Sequence, residues 1–269
     1  MRSISVRLGL FVSVVAVVLS ACGGGGGSGE GGSDESVCST IGLNERIVNG
    51  VECAASDSGI VLLVVQGTLG AGSCSGSMLS SRHVLTAAHC FEDVGTVTSA
   101  YVSTYNSGNV SVASFEIHPN YVSTSSGTEH DVAVGTLSAE LPVTTYPLLT
   151  SVGAAIGDEL EIFGYGNDET GENSSGIIRG GRMTVDDVTS QLILAVIENR
   201  GQGTCFGDSG GPAMIVVGGA PAIVGVTSFG ASDRGEPECE AGNISGFTNL
   251  QNASNLNFIR SIVPGASTR

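Results

Sequence analysis

The sequence predicts an all-β fold of barrel or sandwich type, finished by one C-terminal helix. Three observations carry this expectation. Apolar runs are short, rich in Val and Ile, and cut off by turn residues at each end. Glycine is abundant, at 41 of 269 residues, while only 13% are charged, which suits short strands joined by many turns. A 3.6-residue apolar period appears in one place only, near the C-terminus.

Taken in order, residues 1–21 read as a secretory signal. Arg2 and Arg7 flank a basic start, and Leu8 to Leu19 is an apolar run too short to cross a bilayer. Ser20 and Ala21 before Cys22 resemble a bacterial lipoprotein cleavage box, which implies a lipidated Cys22 and a membrane anchor; ordinary export with a chance cysteine is the alternative. No Asp follows Cys22, which points to the outer membrane of a bacterial envelope. Residues 22–36, with "GGGGGSGEGGSDES" after Cys22, form a flexible polar tether.

The remaining chain, about 230 residues, is long enough for one large all-β unit or two small ones. "GIVLLVVQG", "HVLTAAH", "DVAVGTL", "LEIFGYG", "AMIVVGG" and "AIVGVTSFG" read as its strands. The helix is "ASNLNFIRSIV", where Leu256, Ile259 and Val263 recur on one face, widened by Phe258 and Ile262, and Ser254 or Asn255 caps the start.

A formal charge of −16 argues against nucleic acid, because nothing here neutralises phosphates. Setting Cys22 aside leaves Cys38, Cys53, Cys74, Cys90, Cys205 and Cys239. An even number in an exported chain reads as three disulfides, and the absence of any C-x-x-C pair argues against a structural zinc site.

Three segments carry candidate chemistry. In "LTAAHC", small residues let the chain at His89 pass close to a neighbour, and a Cys74–Cys90 bridge would close a short loop and hold the imidazole. In "EHDVAVGTL", Asp131 enters an apolar strand, where a carboxylate needs hydrogen-bond partners. His130 beside it is expected to face outward, since neighbouring strand side chains alternate. In "CFGDSGGP", residues 205–212, Ser209 sits next to Asp208 among glycines. Each alone also fits a surface histidine, a turn cap or a tight turn.

Together and in that order, "TAAHC", "HDVAV" and "GDSGGP" resemble the chymotrypsin/trypsin-like serine protease family. "RIVNG" at 46–50, "CSGSML" at 74–79, "GYG" at 164–166, "SFG" at 228–230 and the closing helix match in place, so the resemblance covers nearly all of residues 47–269. It implies two six-stranded antiparallel β-barrels with the active site between them. It implies Ser209 as nucleophile, His89 as base, Asp131 as the acid that orients it, and Ser228 as a hydrogen-bond partner of that acid. The N–H groups of Gly207 and Ser209 are then the oxyanion hole. Residues 37–46 become an activation propeptide. Cleavage behind Arg46, by a separate protease, would free the Ile47 ammonium to pair with Asp208.

By the same resemblance Gly203, Thr204, Ser228, Gly230, Ser245 and Gly246 form the specificity pocket. With Gly203 where trypsin-like members carry an acid, the pocket is expected to take uncharged, apolar residues unless Glu238 or Glu240 swings in. Cys205–Cys239 is implied as the bridge framing that pocket. The usual partner of a cysteine at Cys53 falls near Leu160, so Cys53 is expected to pair with Cys38 and keep the cut propeptide attached. Tyr165, Phe229 and Phe258 stand where the family has tryptophans. Acids over 92–115 are too few to resemble the family's calcium loop, so no metal and no cofactor is expected. The whole reads as a monomeric endopeptidase of protein or peptide substrates; a weakly catalytic binding or regulatory module on the same fold is the alternative.

Overall fold

The computed structural model describes residues 45–46, 51–53, 58–104, 108–124, 127–167, 175–197, 202–231, 239 and 243–269. In chain order the elements are β1 (Glu45–Arg46), β2 (Val51–Cys53), β3 (Ile60–Gly67), β4 (Gly70–Ser80), β5 (His83–Thr86), the short helix α1 (His89–Glu92), β6 (Val97–Thr104) and β7 (Gly108–Ile117). There follow β8 (Val122–Thr124), β9 (Gly127–Glu129), β10 (Ala133–Leu137), β11 (Glu159–Gly164), β12 (Arg179–Thr184) and β13 (Asp187–Val188). β14 (Leu192–Val196), β15 (Pro212–Val217), β16 (Ala220–Ala231), β17 (Ile244–Asn249) and α2 (Ala253–Ile262) complete the chain.

The first half is a closed antiparallel barrel in the order β10-β5-β4-β3-β6-β7. The expected runs "GIVLLVVQG", "HVLTAAH" and "DVAVGTL" supply three of its strands, β3, β5 and β10. β3 pairs with β4 from Ile60↔Ser77 to Gly67↔Gly70, and Ile60, Leu63, Met78, Leu85 and Leu137 fill the interior, each fully buried. Between β5 and β6, α1 buries Cys90 and Phe91, and the Phe91 ring stacks on Phe115 with centroids 4.2 Å apart. That packing fixes the backbone carrying His89.

The second half is one nine-stranded sheet in the order β1-β2-β12-β11-β15-β16-β17-β14-β13. Six of these, β12 through β14, correspond to the expected second barrel, which curls but is not closed by a ladder. The edges needed for closure are occupied: β2 pairs with β12, and β13 pairs with β14. Leu160, Ile193 and Phe247 fill the inner face of this half. Phe163, Tyr165, Met214 and Ile223 instead join the core of the first half, and the Tyr165 hydroxyl donates to Ile60 O at 3.2 Å. One apolar seam therefore holds the two halves together and sets the loops at its edge in register.

Two local expectations are corrected. The cap of α2 is Asn252, whose side chain accepts from Ser254 N at 2.8 Å, and neither Ser254 nor Asn255. Those two residues reach back to the first half instead: Ser254 Oγ bonds His118 Nε2 and Asn255 Oδ1 bonds His130 Nδ1. His130 is buried rather than exposed. Its φ of 51° breaks the strand alternation, and its ring stacks on His118 with centroids 4.4 Å apart. The bridges Cys74–Cys90 and Cys205–Cys239 are both present; Cys38 and the Cys53 side chain lie outside the described residues.

Candidate active site

His89 opens α1 immediately after β5, and Asp131 lies just before β10, its antiparallel neighbour in the barrel. The two meet at the barrel's end. His89 Nδ1 is 2.8 Å from Asp131 Oδ2, and the His89 backbone N–H donates to Oδ1 at 3.0 Å. A carboxylate only accepts, so the imidazole proton sits on Nδ1 and leaves Nε2 as an acceptor. Asp131 is wholly buried and takes a third bond, from Ser228 Oγ on β16 of the other half. Thr248 Oγ1 on β17 donates to its backbone carbonyl at 2.9 Å. The desolvation of this charge is thus offset by three donors. Burial draws the His89 pKa down, but the hydrogen bond and charge of Asp131, aided by the charge of Asp93, outweigh it and leave it above the ordinary 6.5.

Ser209 stands in the loop between β14 and β15, whose fold follows from its glycines. Gly207 has φ +97° and Gly210 φ +81°. A Cβ on Gly210 would lie 2.0 Å from Thr86 Oγ1, so only glycine lets this loop rest against β5. Two peptide planes are held by their carbonyls: Phe206 O accepts from Asn167 N at 2.9 Å, and Asp208 O from Gly211 N at 2.8 Å. Both peptides are trans, so the N–H groups of Gly207 and Ser209 point the opposite way. Among the described residues neither N–H has an acceptor. Asp208 turns inward against Gly164 and Gly166, at either of which a Cβ would overlap its carboxyl. It accepts from Gly166 N at 2.8 Å and Cys205 N at 2.9 Å. The residue is partly exposed but its carboxyl is enclosed. Burial pushes its pKa up to about 6, against the pull of those two donors and of the Arg179 charge.

His89, Ser209 and Gly207 border one cleft of about 460 Å³, which runs between the two disulfides. One end is walled by Gly72, Ser73, Asp93 and Val94, the other by Thr204, Thr227, Phe229 and Gly230. Of the expected pocket residues, Thr204 and Gly230 border the cleft, and a Cβ on Gly230 would meet nothing within 4 Å. Gly203, Ser228, Ser245 and Gly246 do not border it. Ser228 is turned to Asp131, Ser245 stands behind Thr204 as a hydrogen-bond partner at 2.8 Å, Ile197 packs on Gly203, and the Phe229 ring covers Gly246. Glu238, Glu240 and Ile47 lie outside the described residues, and of Arg46 only the backbone in β1 is described. Near His89 the sulfurs of Cys74 and Cys90 are joined to each other, which removes the thiolates a metal would need.

Several residues that build this site are given no role by the sequence alone. Thr128 Oγ1 is 2.7 Å from Ser228 Oγ; since Ser228 gives its proton to Asp131, Thr128 donates to Ser228. Among the described residues Asp93 is the one carboxylate bordering the cleft, and Phe206 is 61% exposed at its rim. Asn167 and Ser75 hold the Ser209 loop through backbone contacts. Ser75 and Phe206 had a sequence signal, as members of "CSGSML" and "CFGDSGGP"; Thr128, Asp93 and Asn167 had none.

The model of one family, trypsin, matches residues 47–256. The chain belongs to the trypsin family. Among relatives, this trypsin-family chain is 33% identical to trypsin alpha-4 of Lucilia cuprina over 211 residues, 70% of this chain and 78% of that protein. It is 31% identical to a trypsin of Saccharopolyspora erythraea over 178 residues, 58% and 75% of the two chains. It is 30% identical to the venom serine protease Bi-VSP of Bombus ignitus, of whose length it spans 52%. The solved structure of HL collagenase superposes with a TM-score of 0.64 at 23% identity, over 81% of this chain and 99% of that one, which establishes the chymotrypsin-like fold. The family is one of serine-type endopeptidases.

The His89 environment makes a direct prediction. Titrated by NMR, its imidazole has a midpoint above 6.5, and Asp131→Asn, which removes the main raising influence, brings it below the wild-type value. An unchanged midpoint would show that Asp131 does not set the charge state of His89.

Proposed function

We propose that this protein hydrolyses peptide bonds within protein substrates through an acyl-enzyme on Ser209. The observation that carries the reading is His89: its Nδ1 is tied to the buried Asp131, leaving Nε2 as the acceptor in a cleft that Ser209 borders. In the first step His89 Nε2 takes the Ser209 proton as Oγ attacks the carbonyl carbon, and the oxyanion that forms is met by the N–H groups of Gly207 and Ser209. The imidazolium then protonates the leaving amine, the C–N bond breaks, and the acyl ester remains. Water repeats the sequence with His89 again as base, releasing the acid and restoring the Ser209 hydroxyl. Asp131 holds the tautomer throughout.

In the same reading the chain is made as a zymogen. The Asp208 carboxyl is enclosed, and burial raises its pKa to about 6 against the pull of the Arg179 charge; the ammonium of Ile47, freed by another protease behind Arg46, would add a countercharge at the carboxyl itself. The cleft favours uncharged P1 residues, because its wall near Thr204, Phe229 and Gly230 carries no carboxylate among the described residues. A lipid on Cys22 and the glycine tether would hold the enzyme, as a monomer, at the outer membrane of a bacterial envelope, with Cys38–Cys53 retaining residues 22–46 after cleavage. The alternative of a weakly catalytic binding module has no specific observation in its favour.

A fluorophosphonate should label the cleaved chain at Ser209, with a rate that rises with pH through a midpoint above 6.5, since the neutral His89 is the active form. Ser209→Ala abolishes labelling, and Arg46→Gln, which blocks cleavage, slows it at least about tenfold. Labelling at another residue, or a flat profile from about pH 5 to 9, contradicts the mechanism. On a peptide panel varied at P1, dominant cutting after Arg or Lys would overturn the specificity. Non-reducing mass spectrometry of the membrane-extracted protein checks the rest: the expected species carries acyl chains at Cys22 and keeps residues 22–46 after the cut behind Arg46, whereas an unmodified or released segment removes the anchor or the Cys38–Cys53 bridge.

A further inference from the structure

The turn carrying Ser209 has four successive carbonyls, and each is pinned. Phe206 O accepts from Asn167 N, Asp208 O from Gly211 N, and Ser209 O from Ser75 N at 2.7 Å. These three donors are backbone groups. The fourth is a side chain: Ser75 Oγ donates to Gly207 O at 2.8 Å. The same oxygen accepts from Tyr165 N at 2.9 Å, and Thr86 Oγ1 donates to Ser75 O at 2.8 Å. Ser75 is fully buried, so no surface water competes for this hydroxyl in the folded structure. One residue of β4 thus grips the turn on both sides of Asp208 and links it to the chain following β11.

We propose that Ser75 is a positioning residue for the oxyanion hole, holding Gly207 through its carbonyl so that the Gly207 N–H stays aimed at the developing oxyanion. Gly207 is the position that needs such a hold. With φ +97° and no side chain, it has the widest conformational choice of residues 206–209, whose carbonyls are pinned. Rotation of the peptide after Gly207 would be opposed by loss of the Ser75 bond and by burial of an unpaired carbonyl. The grip does not pass through Asp208, so it acts alongside the latch proposed for Ile47 rather than through it. A hydrogen bond in the ground state that keeps a donor aimed at the transition state affects the chemical step more than substrate binding.

The proposal rests on the endopeptidase reading, and the test separates the two. In the full chain cleaved behind Arg46, Ser75→Ala and Ser75→Gly are compared with wild type and with Ser75→Thr, which keeps the hydroxyl. The readouts are kcat, KM, and the affinities of a peptide boronic acid, which becomes tetrahedral on Ser209, and of the planar product acid. Ala and Gly should each lower kcat by roughly ten- to a hundredfold and weaken the boronic acid by the same factor, with KM and product affinity within about threefold of wild type. Thr should recover most of the loss. Ala and Gly variants within about twofold of wild type in both kcat and boronic acid affinity would overturn the proposal. So would equal losses in the tetrahedral and planar ligands, which mark a general deformation. A wild-type chain that hydrolyses nothing and takes no label at Ser209 would instead remove the endopeptidase reading.

Discussion

A carboxylate with no exposed surface sits where the two halves of this protein meet, and much of the site's geometry follows from the need to satisfy it. Asp131 belongs to the first barrel, but its charge is balanced from both halves: by the backbone and ring N–H of His89 on one side and by Ser228 Oγ on the other. An unpaired carboxylate at that depth would cost several kcal/mol, so the halves cannot slide apart without exposing or orphaning it. The same bonds dictate which nitrogen of His89 carries the proton. Structural constraint and chemical role are one set of contacts, with Thr128 extending it by one further hydroxyl.

The Ser209 loop solves the opposite problem. Two N–H groups must stay unpaired in a cleft, which a folded chain normally avoids. The loop achieves this by fixing the carbonyl end of each peptide and leaving the other end no local acceptor. Glycine is required at Gly210 because Thr86 and the Ser75 carbonyl leave no room for a Cβ, and at Gly164 and Gly166 because the Asp208 carboxyl fills that space. The motif's glycines thus record close approaches between elements distant in the chain.

This explains what could be read in advance. The six Val- and Ile-rich runs became β3, β5, β10, β11, β15 and β16 because apolar content and flanking turns are local properties. The α2 helix was legible from its period, but its cap was not, since Ser254 and Asn255 were diverted to His118 and His130 across the fold. β12 and β17 were missed because glycine, serine and arginine interrupt them, and their strand character comes from neighbours. His89 and Asp131 could be paired only through family resemblance, as nothing local says that residues 42 apart will touch. His130 defeated the alternation rule through one positive φ. The pocket was the least legible part: carrying positions over from the family placed Ser245 and Gly246 in a wall where Thr204 and Phe229 stand in front of them.

The central claim is that the buried Asp131 carboxylate governs catalysis by holding His89 in the Nδ1–H tautomer. The kcat of Asp131→Asn tests it most directly. An amide can keep the packing, but it can present its own N–H to Nδ1 and move the imidazole proton to Nε2, where it can no longer accept from Ser209. The account predicts a fall in kcat of about four orders of magnitude with the fold intact by circular dichroism. A folded variant that keeps kcat within about tenfold of wild type would contradict it.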